Sequence, residues 1–549
     1  MPTSVYKTPG VYVEELSAFP PSIRGVPTAI PIFIGYTEAA LKDGKPIYIK
    51  PVKIKAMVDY EATFGKDFKT IYKIDDVTEG KPEADKYDFS VIDSSVTPAV
   101  THYYTLKPTD ATDARFNLYR SMQLFYANGG GDCYVVSVNP YLKNDGKPYK
   151  VEKKPLLDGL AAAGEQVGPT MTVIPDAINL TANLGEDPWK STDFTDVVQA
   201  MLKQCHDLQD RVAILDVYGS QYVKTLDKSK QDENLTKVIE QFRLDVGEKH
   251  LSYGMSYFPF LHSTMVSESS IYYTNVDISD SSSDPTKFGK LQKVLALQNA
   301  NLYGGTDRET AVTKYIEDIA TVSATDEGEV KKLNQNLAAS LPLLLDIERI
   351  VTHKDDMLPP SGAMAGVYTY ADATVGVWNA PANISLTGVD KPEVLINADQ
   401  QGDLNVPVDG KAVNALREFP GRGTVVWGAR TLDGNSDDYR YIQVRRTLIY
   451  IEQSIKQALN QFVFAANDGN TWSTVTAMIS SFLQGVWSQG GLMGATASEA
   501  FTVQCGLGST MTSKDVLEGY MRVQVTLQMI RPAEFIVLTF KQKMEGAGS

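Results

Sequence analysis

The segment DFTDVVQAMLKQCHDLQDRVAILDV, residues Asp193–Val217, decides the fold class. Its first part, Asp193–Leu208, has the apolar spacing of an amphipathic helix, and Arg211–Val217 is a short apolar run typical of a buried strand. An earlier helix-then-strand pair ends at Cys133–Val138. Helices that alternate with buried strands predict a mixed α/β (α+β) protein.

The last third of the chain predicts two helices and a strand. Residues 440–464 and 471–487 each place apolar residues on one helical face. The period then changes to two between Met521 and Met529, which indicates a half-buried strand. Arg445, Arg446 and Lys456 form a candidate basic edge on the first helix, although solvent-facing charges on an amphipathic helix explain them equally well.

Both ends of the chain are short, β-prone and joined to the body through prolines. An isolated strand leaves backbone N–H and C=O groups unpaired, so each arm either pairs within its own subunit or adds a strand to a neighbour. The pattern alone leaves these alternatives open. A repeated head-to-tail contact that does not close would generate a helical filament. The candidate arm residues are Val11, Tyr12, Val13, Phe535, Ile536, Val537, Leu538, Thr539 and Phe540.

Length and charge exclude several classes of protein. With 549 residues, the chain is predicted to form more than one domain. Its net charge of -15 argues against nucleic-acid binding, which needs a concentrated basic face. Three widely spaced cysteines indicate buried thiols in a reducing compartment. The N-terminus lacks the features of a signal peptide, and no apolar run is long enough to span a membrane, so assembly in the cytoplasm is expected.

Catalytic and metal-binding motifs are weak or absent. Gly129–Gly131 is followed by no Gly-Lys-Ser/Thr and lies between a helix and a strand, contrary to a phosphate loop. Cys205 beside His206 is interpreted as a buried thiol next to a surface imidazole. His353 with Asp355 and Asp356 is a weak metal constellation, better explained as a solvated linker turn. We therefore predict a protein that is not an enzyme, with no catalytic residue, cofactor or metal.

Several motifs, taken in order, resemble those of contractile tail sheath proteins. The opening YKTPGVYVEE of residues 6–15 and the run GRGTVVWGART of residues 421–431 carry this resemblance, together with RRTLIYIE of 445–452 and RPAEF of 531–535. Shorter matches lie at 125–136, 358–368 and 376–383. The motif sequences and the long interior resemble sheaths of extracellular contractile injection systems more than the shorter sheaths of phages or pyocins.

The resemblance implies a domain plan. An N-terminal strand arm would occupy 1–25, and the sheath assembly domain would combine 26–40 with 355–530. A peripheral α/β block would be inserted at 41–354, and the C-terminal strand arm would occupy 531–549.

The resemblance also implies a function. Such a subunit would form stacked rings around an inner tube and contract to drive the tube through a target envelope. The basic edge of Arg445, Arg446 and Lys456 would then be the candidate surface that faces an acidic tube. Its partners would be further copies of itself, the inner tube protein, and the baseplate and terminal cap proteins, with no nucleic acid and no membrane insertion. The particle would assemble in the bacterial cytoplasm and later be released outside the cell or anchored to a membrane. The alternatives are a non-contractile filament or tail structural protein, or a hydrolase with an unrecognised site in 41–354.

Overall fold

The computed structural model describes residues 22–77, 82, 86–109, 115–180, 188–224 and 230–535. The strands, in chain order, are β1 (Pro31–Thr37), β2 (Leu41–Lys42), β3 (Lys45–Pro46), β4 (Val52–Ile54), β5 (Tyr72–Asp76), β6 (Phe89–Asp93), β7 (Val100–Pro108), β8 (Cys133–Pro140), β9 (Met171–Val173), β10 (Val212–Asp216), β11 (Gly254–Phe258), β12 (Leu261–Ser263), β13 (Met357–Leu358), β14 (Val389–Pro392), β15 (Asn414–Phe419), β16 (Gly423–Trp427), β17 (Phe501–Gln504) and β18 (Gln524–Leu527).

The α-helices, in chain order, are α1 (Met57–Phe64), α2 (Leu118–Ala127), α3 (Lys153–Glu165), α4 (Thr192–Leu208), α5 (Gln231–Asp245), α6 (Lys290–Tyr303), α7 (Asp307–Asp318), α8 (Glu327–Ser340), α9 (Pro342–Asp355), α10 (Ser361–Thr374), α11 (Ala398–Asn405), α12 (Ile442–Leu459), α13 (Gly469–Ser488), α14 (Ala497–Ala500) and α15 (Ser513–Leu517). The helix and strand predicted within Asp193–Val217 are α4 and β10, so the α/β class is confirmed.

The described residues form two compact units. Unit 1 contains 22–26 and 447–531, and unit 2 contains 27–446 and 532–535. This division differs from the predicted one, in which 41–354 was a separate insertion. The reason is that strands β8 to β11, from inside that range, pair in one sheet with β1 and β15 from outside it.

Unit 2 is built around an eight-stranded sheet in the order β16-β15-β11-β10-β9-β1-β8-β4. The six central strands are parallel, and β16 and β4 run antiparallel at the edges. Phe33 of β1 packs against Phe125 of α2, while the next residue, Ile34, lies against Gly159 of α3. Because successive side chains of a strand point to opposite faces, helices cover both faces of this sheet. A sheet covered in this way is buried, which explains its continuous apolar strands.

A second layer of unit 2 lies outside the main sheet. The antiparallel sheet β5-β7-β6 shares one buried apolar cluster with α6, α7, α8 and α9. Val294, Ile316, Leu337 and Ile347 contribute one side chain from each of these helices to that cluster. The turn from Ser323 to Asp326, between α7 and α8, is exposed.

Unit 1 consists of α13, the two-stranded antiparallel ribbon β17-β18, the short helices α14 and α15, and most of α12. The predicted helices at 440–464 and 471–487 are α12 and α13, and Asp468 caps α13 by accepting from the backbone N–H of Thr471. The predicted strand between Met521 and Met529 is the shorter β18, in which half-buried and exposed residues alternate. Strand β17, which pairs with it, was not predicted.

Candidate functional site

The predicted N-terminal arm residues Val11, Tyr12 and Val13 lie outside the described residues, as do Ile536, Val537, Leu538, Thr539 and Phe540. Their pairing stays a prediction. Phe535 is the one arm residue that is described, and it lies outside any strand with 72% of its surface exposed. The described segments next to the arms are residues 22–26 and 532–534.

The segment after the N-terminal arm is held against unit 1. The backbone N–H of Val26 donates to the Ser454 hydroxyl at 3.1 Å. A Cβ atom at Gly25 would come within 2.2 Å of the Tyr450 hydroxyl oxygen, so a larger residue would clash with this ring. Ile23 lines a groove with Tyr450 and Phe482. The chain therefore enters unit 1 along a fixed path on α12 and α13.

The segment before the C-terminal arm is held in unit 2. Glu534 accepts hydrogen bonds from the Arg430 guanidinium, with distances from Nε of 2.9 Å to Oε1 and 3.2 Å to Oε2. Nη2 of Arg430 also donates to Oε2, and the Tyr441 hydroxyl lies 3.4 Å from the same oxygen. Arg430 belongs to the motif at 421–431 and Glu534 to the motif at 531–535. The structure thus joins two motifs that the sequence could only place far apart.

The candidate tube-facing residues divide into two groups. Arg445 lies between the rings of Tyr253 and Tyr439, at 4.2 and 4.0 Å from their centroids, and donates to the Ser252 hydroxyl. Arg446 is also buried, and Asp372 accepts hydrogen bonds from its guanidinium group. Both guanidinium groups are thus buried in unit 2, and only Arg446 is paired with a carboxylate. This burial disfavours a contact of Arg445 or Arg446 with a tube, and that contact stays a prediction. Lys456 is exposed and stays a candidate.

A cluster around His262 corrects the prediction of a solvated turn at residues 353–356. His262 is 2% exposed, and its Nδ1 and Nε2 lie 2.5 Å from Asp356 and Glu393, respectively. Burial lowers the pKa of His262, but hydrogen bonds to these two carboxylates outweigh it and raise the pKa to about 9. His353 lies in the last turn of α9 and stacks on His262, whereas Asp355, at the end of this helix, is buried and accepts a hydrogen bond from the Tyr72 hydroxyl.

The geometry of this cluster fits a protonated imidazole better than a metal ion. One ligand atom each from His262, His353 and Asp356 lies within 4.8 Å of the others, a spacing that a metal site requires. However, the two imidazole rings are stacked with an interplanar angle of 7°. A metal ion lies near the plane of each imidazole that binds it, so it cannot serve two stacked rings at once. His262 was not considered from the sequence, because only the fold brings it to α9.

Two buried aspartates occupy positions where α/β enzymes often place catalytic groups. Asp176 accepts from the backbone N–H groups of Tyr36 and Asn117 at 2.7 and 2.6 Å. Asp216 accepts from the N–H and hydroxyl of Ser361 at 2.9 and 2.6 Å. Burial raises the pKa of each carboxyl to about 7, although the hydrogen bonds act to lower it. Their oxygens fix the starts of α2 and α10, which is a structural use.

The thiol and glycine candidates also have structural explanations. Cys205 is buried, and burial raises the pKa of its thiol to about 12, so the reactive thiolate is disfavoured. Cys133 is likewise buried, whereas Cys505 is only partly buried. Gly129 has a φ of +96°, and a Cβ at Gly130 would lie 2.7 Å from the Phe125 carbonyl oxygen. These glycines permit the tight turn from α2 to β8.

Comparison with known proteins finds similarity to tail sheath proteins. Residues 435–543 match the family described as phage tail sheath C-terminal domain. The tail sheath protein of Burkholderia phage BcepMu is 26% identical over 151 residues, which cover 27% of this chain and 31% of that protein. The tail sheath protein of Vibrio phage KVP40 is 25% identical over 138 residues, which cover 25% and 20%. The matched stretches thus span about a third or less of these relatives.

Solved structures show a similar fold over nearly the whole chain. The chain matches a chain of the anti-feeding prophage helical sheath in its contracted state, with 24% identity, a TM-score of 0.54 and coverage of 98% and 100%. It matches a chain of the contracted PVC sheath complex, an extracellular contractile injection system, with 23% identity, a TM-score of 0.53 and coverage of 98% and 99%. The resemblance to contractile tail sheath proteins is therefore confirmed, and nearly the whole chain has a fold found in sheaths of contractile injection systems.

No helix in the described ranges combines the length and apolar character needed to cross a membrane.

Proposed function

We propose that this chain is the repeating structural subunit of a contractile sheath. Copies would polymerise in stacked rings around an inner tube, and contraction would drive that tube through a target envelope. The observation that carries the proposal is the coincidence of a tail sheath C-terminal domain at 435–543 with a sheath fold over 98% of the chain.

The physical basis of contraction would be a metastable extended lattice that moves to a lower-energy contracted one. Rigid-body movement of subunits, without refolding, is a known form of such transitions. The free-energy gain per subunit can be small, because it is multiplied along the sheath. No nucleotide hydrolysis is required, which agrees with structural roles for Asp176, Asp216 and Cys205.

The proposed partners are further copies of this chain, an inner tube protein, and baseplate and terminal cap proteins. Assembly would take place in the bacterial cytoplasm, and the particle would act outside the cell after release or from a membrane anchor. Lys456 is the exposed candidate for a contact with an acidic tube, since complementary charge can hold an interface that must later release.

The function is tested by electron microscopy of the protein expressed with its neighbouring tube and baseplate genes. We expect tubes that shorten and widen after mild guanidinium or acid treatment. Filaments of constant length would favour the non-contractile alternative. Monodisperse particles alone would contradict both the contractile sheath and the non-contractile filament, and would favour the alternative of a hydrolase site in 41–354.

Deleting residues 1–19 or 535–549 is expected to leave a folded, soluble subunit that does not form normal sheaths. The reason is that each deletion removes a β-prone run that would pair with a neighbouring subunit. Circular dichroism tests folding, and electron microscopy tests assembly. Deletion of Glu545–Ser549 alone is the matched control, because it shortens the terminus but keeps Phe535–Phe540. Normal sheaths from both long deletions would rule out the arm hypothesis.

A further inference from the structure

The contact between Arg430 and Glu534 has the features of a built attachment point. Their side chains are only 6% and 15% exposed, and two nitrogens of Arg430 bond the same carboxylate. Paired bonds of this kind combine geometric precision with charge assistance, which makes them stronger than single neutral hydrogen bonds.

Arg430 itself is fixed in unit 2. Its backbone N–H donates to the Asn414 side-chain oxygen at 2.8 Å, and its carbonyl accepts from the Asn414 amide at 2.8 Å. An isolated antiparallel β-bridge also joins Arg430 to Tyr441. Because Asn414 is the first residue of β15, these bonds attach the backbone of Arg430 to the main sheet.

Glu534, in contrast, lies in a segment with little support of its own. Pro532 has no backbone N–H, and residues 532–535 lie outside any helix or strand. Among the described residues, no backbone hydrogen bond joins 532–535 to the rest of unit 2. The Glu534 carboxylate is therefore the principal polar attachment of this segment.

We propose that the pair of Arg430 and Glu534 is the anchor that fixes where the C-terminal arm leaves its own subunit. The inference rests on the proposed sheath function. When a neighbouring copy holds the arm, tension along the chain would reach the main sheet of unit 2 through this pair. Without the anchor, the tension would pass to Arg531 and the ribbon β17-β18 of unit 1. Arg430 and Glu534 are thus positioning residues for assembly.

The anchor is tested first on the soluble full-length subunit. Chymotrypsin cuts after phenylalanine, and a protease needs several extended residues around the cut, so an anchored Glu534 should protect the bond after Phe535. We expect Arg430→Gln and Glu534→Gln each to speed cleavage after Phe535 by about tenfold or more, measured by mass spectrometry as the appearance of the chain that ends at Phe535. The double variant should be no faster than either single variant, because both remove one contact.

A matched control is available in unit 1. Arg522 and Asp515 form an Arg–carboxylate pair at 3.2 Å, but the Arg522 side chain is 58% exposed. Arg522→Gln should leave cleavage after Phe535 unchanged. Thermal unfolding monitored by circular dichroism identifies any variant that fails to fold. If Arg430→Gln fails to fold, Glu534→Gln still decides the test, because it keeps the side-chain shape.

The second experiment tests sheath assembly by the subunit co-expressed with tube and baseplate proteins. We expect Arg430→Gln and Glu534→Gln to reduce the number of intact sheaths several-fold, and the exchanged pair Arg430→Glu with Glu534→Arg to restore part of it. Unchanged cleavage after Phe535 in both single variants would overturn the anchor. Faster cleavage with normal sheaths would overturn its role in assembly. If the wild-type chain forms no sheath, the proposed function fails, while the proteolysis result still decides the anchor.

Discussion

Replacing Arg446 with alanine is expected to lower the free energy of unfolding by about 3–5 kcal/mol. Arg446 donates from Nη1 and Nη2 to the two Asp372 oxygens at 2.8 and 2.6 Å, and from Nη2 to the Thr28 carbonyl at 3.0 Å. The two side chains are only 3% and 5% exposed. Removal of the cation would leave the Asp372 carboxylate buried without its partner, which is the costly way to break such a pair.

Urea unfolding followed by circular dichroism measures this change. Lys456→Ala is the control, because an exposed lysine on the same helix should change stability by less than about 0.5 kcal/mol. The double variant with Asp372→Ala should lose less than the sum of the two single variants, because both charges are gone. A loss below about 1 kcal/mol for Arg446→Ala would contradict the buried pair and reopen its role at a tube surface.

His262→Gln is expected to remove a pH-dependent contribution to stability. A histidine whose pKa rises from 6.5 to about 9 on folding is stabilised in its protonated form by about 3 kcal/mol. Because the folded pKa is the higher one, this contribution is complete below about pH 6.5 and disappears as the pH rises through 9. Burial and the hydrogen bonds to Asp356 and Glu393 set this pKa. Two further titratable groups lie at the cluster, namely His353, which stacks on His262, and Lys224, whose Nζ lies 3.9 Å from Glu393.

Unfolding free energies at pH 6 and pH 10 measure the effect. The difference between wild type and His262→Gln should shrink by up to about 3 kcal/mol between these two values, since other titrating groups cancel in the comparison. His102→Gln, at a half-exposed histidine 4.0 Å from Asp93, is the control for loss of an imidazole elsewhere in the chain. A constant difference between wild type and His262→Gln would show that the His262 imidazole is not held as a cation.

The pattern of apolar residues was sufficient to predict the helix and the strand within 193–217. The apolar spacing of 193–208 gave α4, and the continuous apolar run after it gave β10, because a strand buried on both faces needs no polar alternation. The order of the main sheet was out of reach, since it depends on pairing between strands as distant as β11 and β15. That pairing is also why the predicted boundaries of the inserted block differ from the observed units.

Partners distant in sequence limited the prediction of functional residues. Arg445 and Arg446 looked like surface charges, because no spacing rule links them to Tyr253, Tyr439 or Asp372. His262 was missed for the same reason, since Glu393 lies 131 residues further along the chain. The resemblance of motifs did point to 421–431 and 531–535, but the contact between Arg430 and Glu534 required the fold.

The exposed turn between α7 and α8 has a practical consequence for labelling this protein. Purification tags and fluorescent fusions are usually attached to a terminus, where here they would compete with the arms proposed for assembly. Ser323–Asp326 lies on the surface between two helices whose apolar faces are already packed, and loop tips of this kind tolerate inserted sequence. A short epitope placed there would leave both termini native, so that assembled particles could be captured and imaged.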